Sequence, residues 1–521
     1  MISFCLTCIM RNNAISQEKH LLGVYYTPDK LADYLLSQCP NEQFYTVFDP
    51  SCGGCSLLDA AKRRYENSRL QCFGCDKKFL NRRDSGIVLK EINFFDYSDK
   101  YGFDLIVTNP PFVRYDKCDD SGMNWLRGCG IQGFNVDKRS DIWVYFIIKG
   151  MFHLKDGGCL AAILPWSFVQ ANYSAGMRKY LRLNFGKIRC QMISVQCFSD
   201  TAQKVVLLWL EDKGSRKGAV VQFSMSNNIT NSTSVQFDKV SANAWDEGSF
   251  WYDYCFKYKS DSVHSLSQFC DVKIGVVTGA NDFFIRTKDA WKREGVTCRD
   301  TKSIITSGKE LQAWLLDSKR AGIKRIVQIN AKNEGRLRAI IKKGELAGYD
   351  TRVHCKNRKI WYSLNLPEQV PDAFFSYRAS SVPLMSINSL GVHCTNSVLA
   401  MYFHENVTLL QQLWIQMSLL SAFSLHDIET KGRVYGKNVL KIEPSALKSV
   451  RVFVPEREIS RSIYTAIELD IRNSKINQAI ARATKYIFTE MGLSDSEADT
   501  IKLSYEKLRN FRMGIGNDQC N

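Results

Sequence analysis

At 521 residues the chain is too long for one ordinary core, and with 45% hydrophobic residues it can fill more than one, so two domains are expected. Seventy Lys and Arg against 53 Asp and Glu leave a formal charge of +17, which suits a polyanionic partner such as nucleic acid without separating DNA from RNA or an anionic membrane surface. Eighteen cysteines scattered over so long a chain exclude a small disulfide-stapled domain and read as reduced thiols.

In chain order, residues 1–10 are apolar but too few to span a bilayer, and they lack the basic start and small-residue end of a signal peptide. No later run approaches eighteen uninterrupted apolar residues, so no membrane is expected and cytoplasmic is the default location. From residue 20 to about 212 short apolar runs alternate with helical stretches, the pattern of a parallel sheet wrapped by helices. The expected strands are 45–48, 70–74, 105–108, 159–164, 191–195 and 205–210, with helices such as 56–66 and 141–153 between them. Residues 224–241, rich in Ser, Asn and Thr, read as loop or connecting sheet. A second domain is expected to begin near Trp251. Between 319 and 359 there are 13 Lys or Arg against three Asp or Glu, with Tyr349, Trp361 and Tyr362 around its end. A solvated helix face and a phosphate-contacting surface are equally consistent with that run, and its place beside a catalytic domain tips it toward the second. The stretch 456–491 alternates charges with Ile, Leu and Ala as a long packing helix does.

The most specific feature is Asp104-Leu-Ile-Val-Thr-Asn109-Pro110-Pro111-Phe112, a strand running into a rigid turn at the carboxyl edge of the sheet, where open α/β sheets bind ligands. Two prolines fix the backbone without supplying N–H donors, so the local carbonyls serve as acceptors. The Asn109 side-chain oxygen and the Pro110 carbonyl can together accept both hydrogens of a planar amino group, which favours a pyramidal nitrogen with its lone pair available. Phe112 can stack on the ring that carries the amine. Such a base must first leave its duplex.

Upstream, Val47-Phe48-Asp49-Pro50-Ser51-Cys52-Gly53-Gly54-Cys55 leaves a strand, turns through glycine and enters a helix, as a nucleoside-binding loop does. Asp49 can meet the ammonium of a methionine moiety, and Asp76, ending the next strand, stands where ribose hydroxyls need an acceptor. Cys52-x2-Cys55 and Cys72-x2-Cys75 are sixteen residues apart, the spacing of a four-thiolate zinc site. The first pair belongs to the glycine loop and Cys72 to an apolar strand, so no metal is expected.

These motifs together resemble the gamma class of amino-group DNA methyltransferases, the class of the TaqI enzyme, over residues 23 to 212. Tyr25-Tyr26-Thr27-Pro28 is similar to the family element that precedes the glycine loop and closes over the methionine end of the cofactor. Asn93-Phe94-Phe95, sixteen residues before Asn109, is similar to the segment that holds the cofactor's adenine, with Phe94 against the ring. The family usually has Asp where Asn93 stands and glycine where Cys55 stands, and many members have tyrosine in place of Phe112. Leu154-Lys-Asp-Gly157-Gly158 and Ile163-Leu164-Pro165 resemble later sheet elements, and Cys197-Phe198-Ser199 resembles the loop whose aromatic residue sandwiches the flipped adenine.

The resemblance implies an α/β fold: a Rossmann-like S-adenosylmethionine-dependent methyltransferase domain over 1–245, followed by an α+β target-recognition domain over 250–521. It implies Asn109, Pro110 and Phe112 as catalytic residues, Phe112 and Phe198 stacking on the base, and Tyr26, Thr27, Pro28, Asp49, Pro50, Ser51, Cys52, Gly53, Asp76, Asn93, Phe94 and Asn109 around S-adenosyl-L-methionine. The implied reaction is methylation of adenine N6 in double-stranded DNA, as the modification half of a restriction-modification or related defence system. About twenty residues precede the cofactor element, too few for a nuclease, so a separate endonuclease is the expected partner. In the second domain the turns at Lys273-Ile-Gly275-Val-Val-Thr278-Gly279 and Gly432-Arg433-Val-Tyr435 are similar to target-recognition turns, and a purely structural role fits them equally. Two alternatives stay open: methylation of RNA or of a protein glutamine, and a DNA-binding protein that has lost catalysis.

Overall fold

Apolar runs rich in β-branched and aromatic residues become strands here because both faces of the resulting sheet are covered. In the first half of the chain they are β1 (Thr46–Asp49), β2 (Gln71–Asp76), β3 (Val88–Glu91), β4 (Phe103–Thr108), β5 (Leu154–Pro165), β6 (Phe185–Ile193), β7 (Val205–Lys213), β8 (Val220–Ser226) and β9 (Asp238–Val240). They form one sheet in the order β3-β2-β1-β4-β5-β7-β6-β8-β9. Neighbours from β3 to β5 are parallel, and β7 runs antiparallel between β5 and β6. Chain order reverses between β1 and β4, the kind of switch point at whose carboxyl edge open α/β sheets bind ligands.

The computed structural model describes residues 27–515 apart from 41–43, 66–68, 80–85, 99–101, 114–119, 130–139, 195–196, 199–203, 216, 227–228, 230–234, 249, 251–260, 318, 320–321 and 436–437. Its contacts divide the chain into two units, Met1–Cys255 with Asn510–Asn521, and Phe256–Arg509. Among the described residues no helix is long and apolar enough to cross a membrane.

In the first unit the pleat sends alternate side chains to opposite faces. Val47, Leu105 and Val107 join one cluster with Leu35 of α1 (Asp29–Ser37) and with Leu57 and Leu58 of α2 (Ser56–Tyr65). Phe48 faces the other way, its ring 4.6 Å from Phe103, 5.0 Å from Tyr97 and 6.2 Å from His153 of α3 (Ile142–His153). The six expected strands are present with shifted edges. β5 starts at Leu154 rather than 159 because Leu154 already pairs with Phe103, after which the register shifts across Lys155-Asp156-Gly157-Gly158, and Gly157 takes φ 75° there. Residues 510–515 also belong here: the Phe511 ring stacks on Trp166 at 5.2 Å, and Lys204 Nζ donates to the Arg512 carbonyl.

The second unit is α+β. One antiparallel sheet joins Cys270–Ile274, Val398–Phe403, Ala373–Ser376 and Met385–Ile387, and a second joins Ile285–Arg286, Lys324–Val327, Thr301–Ile305 and His393–Cys394. Its main core gathers Trp314, Phe375, Trp414, Met417, Ile467 and Ile487. The stretch expected as one helix over 456–491 is two, Arg461–Arg472 and Ile476–Met491. Ser474 between them takes φ 60°, a left-handed conformation that a continuous helix does not contain.

Candidate functional site

Each sequence-predicted acid stands at the carboxyl end of its strand. Asp49 ends β1 and is 1% exposed, and its Oδ1 accepts from the Ser51 amide at 3.0 Å. Asp76 ends β2, and its Oδ2 accepts from the Gly53 amide at 2.9 Å, which ties the glycine turn to the neighbouring strand. Burial pushes the Asp49 carboxyl well above the ordinary carboxylate range, and the charge of Asp76 adds to that shift. Burial also raises Asp76, against the pull of the Gly53 amide. A buried carboxyl beside a half-buried one suits a ligand that brings cationic or hydroxyl donors to both.

The turn between them is tight. Gly53 takes φ 44° and Cys55 φ 65°, so the position where the family usually has glycine adopts the conformation that favours glycine. The Cys52 amide donates to the Cys75 carbonyl at 3.1 Å and the Cys55 amide to the Cys52 carbonyl at 2.6 Å. Cys52 and Pro50 are buried and Ser51 is half-buried, its Oγ 3.0 Å from the Thr108 Oγ1 at the end of β4. Among the described residues no three His, Cys, Asp or Glu side chains gather as a metal ion requires.

Directly after Thr108 comes Asn109, whose Nδ2 donates to the Thr27 hydroxyl at 3.1 Å. Thr27 precedes Pro28, whose carbonyl accepts from the Leu31 and Ala32 amides and starts α1. Tyr26 lies outside the described residues. Pro110 is buried, and the half-buried Phe112 packs against the cluster of α1, α2 and the sheet. Phe198 is 3% exposed in that same cluster, so the face that meets a base is covered here.

After β3, Asn93 caps a short turn, its Oδ1 accepting from the Phe95 amide at 3.2 Å while its Nδ2 donates to Ser121 Oγ at 3.2 Å, a donation that an aspartate could not make. Phe94 is buried among Phe48, Phe146 and His153. Sequence reasoning passed over Lys149 in α3, a cation inside the apolar run Trp143-Val-Tyr-Phe-Ile-Ile-Lys149. It is 3% exposed, donates to the Phe95 carbonyl at 2.7 Å and lies 5.0 Å over the Phe94 ring, bracing this turn. A lone lysine in such a run was the available signal.

Known proteins align with both units. Residues 42–195 match the profile of the Eco57I restriction-modification methylase family, and residues 257–488 match that of the Type II methyltransferase M.Eco57I, C-terminal domain. The chain belongs to the DNA methyltransferases of restriction-modification systems. Among such methyltransferases it is 22% identical to the Type II methyltransferase M.AccI of Acinetobacter calcoaceticus over 474 residues, 81% of this chain and 84% of that one. It is 27% identical to M.HincII of Haemophilus influenzae over 165 residues, 32% of each chain. The solved type IIG restriction endonuclease BpuSI aligns with 95% of this chain and 66% of its own at 14% identity, with a TM-score of 0.41. The expected α/β fold class is the one observed, a Rossmann-like sheet matched by a methylase family model and followed by an α+β unit.

Proposed function

We propose that this DNA methyltransferase moves a methyl group from S-adenosylmethionine to the N6 amino group of an adenine turned out of double-stranded DNA. What carries the reading is the convergence, at one sheet edge, of the Asn109-Pro110 turn with the buried Asp49 and the half-buried Asp76. When bound, S-adenosylmethionine supplies an electrophilic methyl on a sulfonium. Asp49 answers its ammonium and Asp76 its ribose hydroxyls, with Pro50, Ser51, Cys52 and Gly53 forming the turn beside the nucleoside. Thr27 and Pro28 stand toward the methionine end, and Asn93 and Phe94 toward the adenine. That the first element precedes the glycine turn in the chain supports the gamma class.

On the substrate side, Asn109 Oδ1 and the Pro110 carbonyl accept the two amine hydrogens and turn the nitrogen lone pair outward. Phe112 stacks on the base, and Phe198 covers its other face once its own ring is uncovered. Orientation of this kind contributes up to roughly 7–11 kcal/mol for a well-aligned pair, so no general base of shifted pKa has to act. Residues 1–245 then form the catalytic domain, to which residues 510–515 also pack, and most of 250–521 the target-reading domain, a division that the M.Eco57I C-terminal match over 257–488 supports. A separate restriction endonuclease is the partner such a modification enzyme serves.

Methylation of RNA or of a protein glutamine has no observation in its favour beside the family. A DNA-binding protein that has lost catalysis is the second reading, favoured by Cys55 and Asn93. Radiolabelled methyl transfer to duplex DNA, followed by nucleoside digestion and mass spectrometry, should yield N6-methyldeoxyadenosine; methylation of cytosine instead overturns the base assignment. Asn109→Ala should abolish transfer while calorimetry still records cofactor binding. A wild-type protein that binds no S-adenosylmethionine decides for the second reading.

A further inference from the structure

The contact between Thr27 and Asn109 joins positions 82 residues apart. On one side Asn109 follows the fully buried strand β4 and precedes the rigid Pro110. On the other, Thr27 stands at the start of α1, which is pinned to the sheet: Tyr34 Oη donates to Gln191 Oε1 on β6 at 2.9 Å, Trp209 Nε1 on β7 donates to the Leu35 carbonyl at 2.9 Å, and Arg189 donates to the Gln38 carbonyl. The Thr27 hydroxyl is therefore a fixed point rather than a loop tip.

An asparagine amide has a donor end and an acceptor end, and its last torsion is broad and nearly two-fold, so rotamer preference alone does not choose between them. Only the orientation with Nδ2 toward Thr27 turns the carbonyl oxygen to the opposite side. A flipped amide would meet an amine substrate donor against donor. A hydroxyl has a single proton, and once that proton is donated to an anionic group it can only accept.

From this geometry we infer that Thr27 is a positioning residue for methyl transfer: its hydroxyl oxygen holds the Asn109 amide nitrogen and so presents the Asn109 carbonyl oxygen to the target amine. The inference rests on the proposed adenine reading and adds to the cofactor-side role of Thr27 a second one, exerted through Asn109. Were the hydroxyl to donate its proton to an anionic group of the bound cofactor, it would remain an acceptor alone toward the Asn109 amide.

Thr27→Val keeps shape and removes the hydroxyl, and Thr27→Ser keeps the hydroxyl. With methyl transfer followed at saturating DNA and cofactor, where any loss of cofactor affinity is compensated, Thr27→Val should still lower kcat by about tenfold or more, as loss of alignment does, and calorimetry reads the Kd for S-adenosylmethionine separately. Thr27→Ser should restore kcat to within about threefold of wild type. Thr27→Ala serves as a second hydroxyl-free variant, and thermal melting shows that each variant is folded. A Thr27→Val enzyme with wild-type kcat, or one whose Kd and KM rise while kcat holds, overturns the inference and leaves Thr27 a cofactor contact only. A wild-type protein that transfers no methyl to DNA overturns the functional reading and this inference together.

Discussion

Asp49 illustrates how one side chain couples burial to binding. Its carboxyl is held well above the usual range by desolvation and by the charge of Asp76, so the free protein holds a proton there at pH values where an exposed aspartate does not. A ligand ammonium requires the ionised form. Binding of S-adenosylmethionine should therefore release a proton and strengthen as pH rises toward the raised pKa, then level off above it. Calorimetry in two buffers of different ionisation enthalpy reads the released proton directly; an affinity that is flat across acidic and neutral pH, with no buffer dependence, counts against the Asp49 assignment. Asp49 was legible because an acid at a strand end before a glycine turn has a local signature. Lys149 and the hydroxyl of Thr27 were not, since what each side chain touches is remote in sequence.

The glycine turn and β2 act as one element. A Cβ on Gly74 would stand 2.8 Å from Cys52 Sγ and 3.0 Å from Leu89 Cδ2, inside ordinary contact distance of two packed side chains. Cys52 cannot easily retreat because its amide is bonded to Cys75 across the same turn. Gly74→Ala should accordingly destabilise the fold by about 1–3 kcal/mol through overpacking and weaken cofactor binding by displacing the turn. Denaturant unfolding and calorimetry check the two effects separately, and a variant unchanged in both means the turn yields without cost. The strands themselves were legible from apolar runs and flanking turn residues. Their edges were not: β5 gains its first residues from pairing with β4, and the break at Ser474 is set by a backbone conformation that the apolar period of 456–491 does not reveal.

Over the whole molecule the +17 charge is not spread as a uniform coat. Within the basic stretch 319–359 four of the arginines serve the scaffold. Arg325 bonds Thr301 and Ser303, Arg336 pairs with Asp300, Arg352 with Asp282, and Arg358 holds the Val277 and Thr278 carbonyls. Lys356 and Lys359 on the same stretch are exposed. They are among several exposed cations there, with Lys319, Lys324, Lys332 and Lys342, and if both contact phosphates, neutralising the pair to alanine should flatten the dependence of log DNA affinity on log salt by about 1.8, from roughly 0.9 per phosphate contact, while leaving cofactor affinity unchanged. Filter binding across a salt series measures the slope, and an unaltered slope removes both lysines from the interface.

What the amino-acid sequence determined by itself is what local chemistry specifies: alternating strands and helices, the proline-braced turn after β4, the glycine turn after β1 and the acids that end two strands. Each of these depends on neighbours within a few residues, so pattern and spacing suffice to find it. Only the tertiary structure decided which hydroxyl meets Asn109, that a buried lysine braces the Asn93 turn, that Phe94 and Phe198 are covered by other rings and apolar side chains, and that Phe511 returns to stack on Trp166. Those facts come from contacts between segments tens to hundreds of residues apart, whose pairing is settled by packing the whole interior and leaves no periodic trace in the chain.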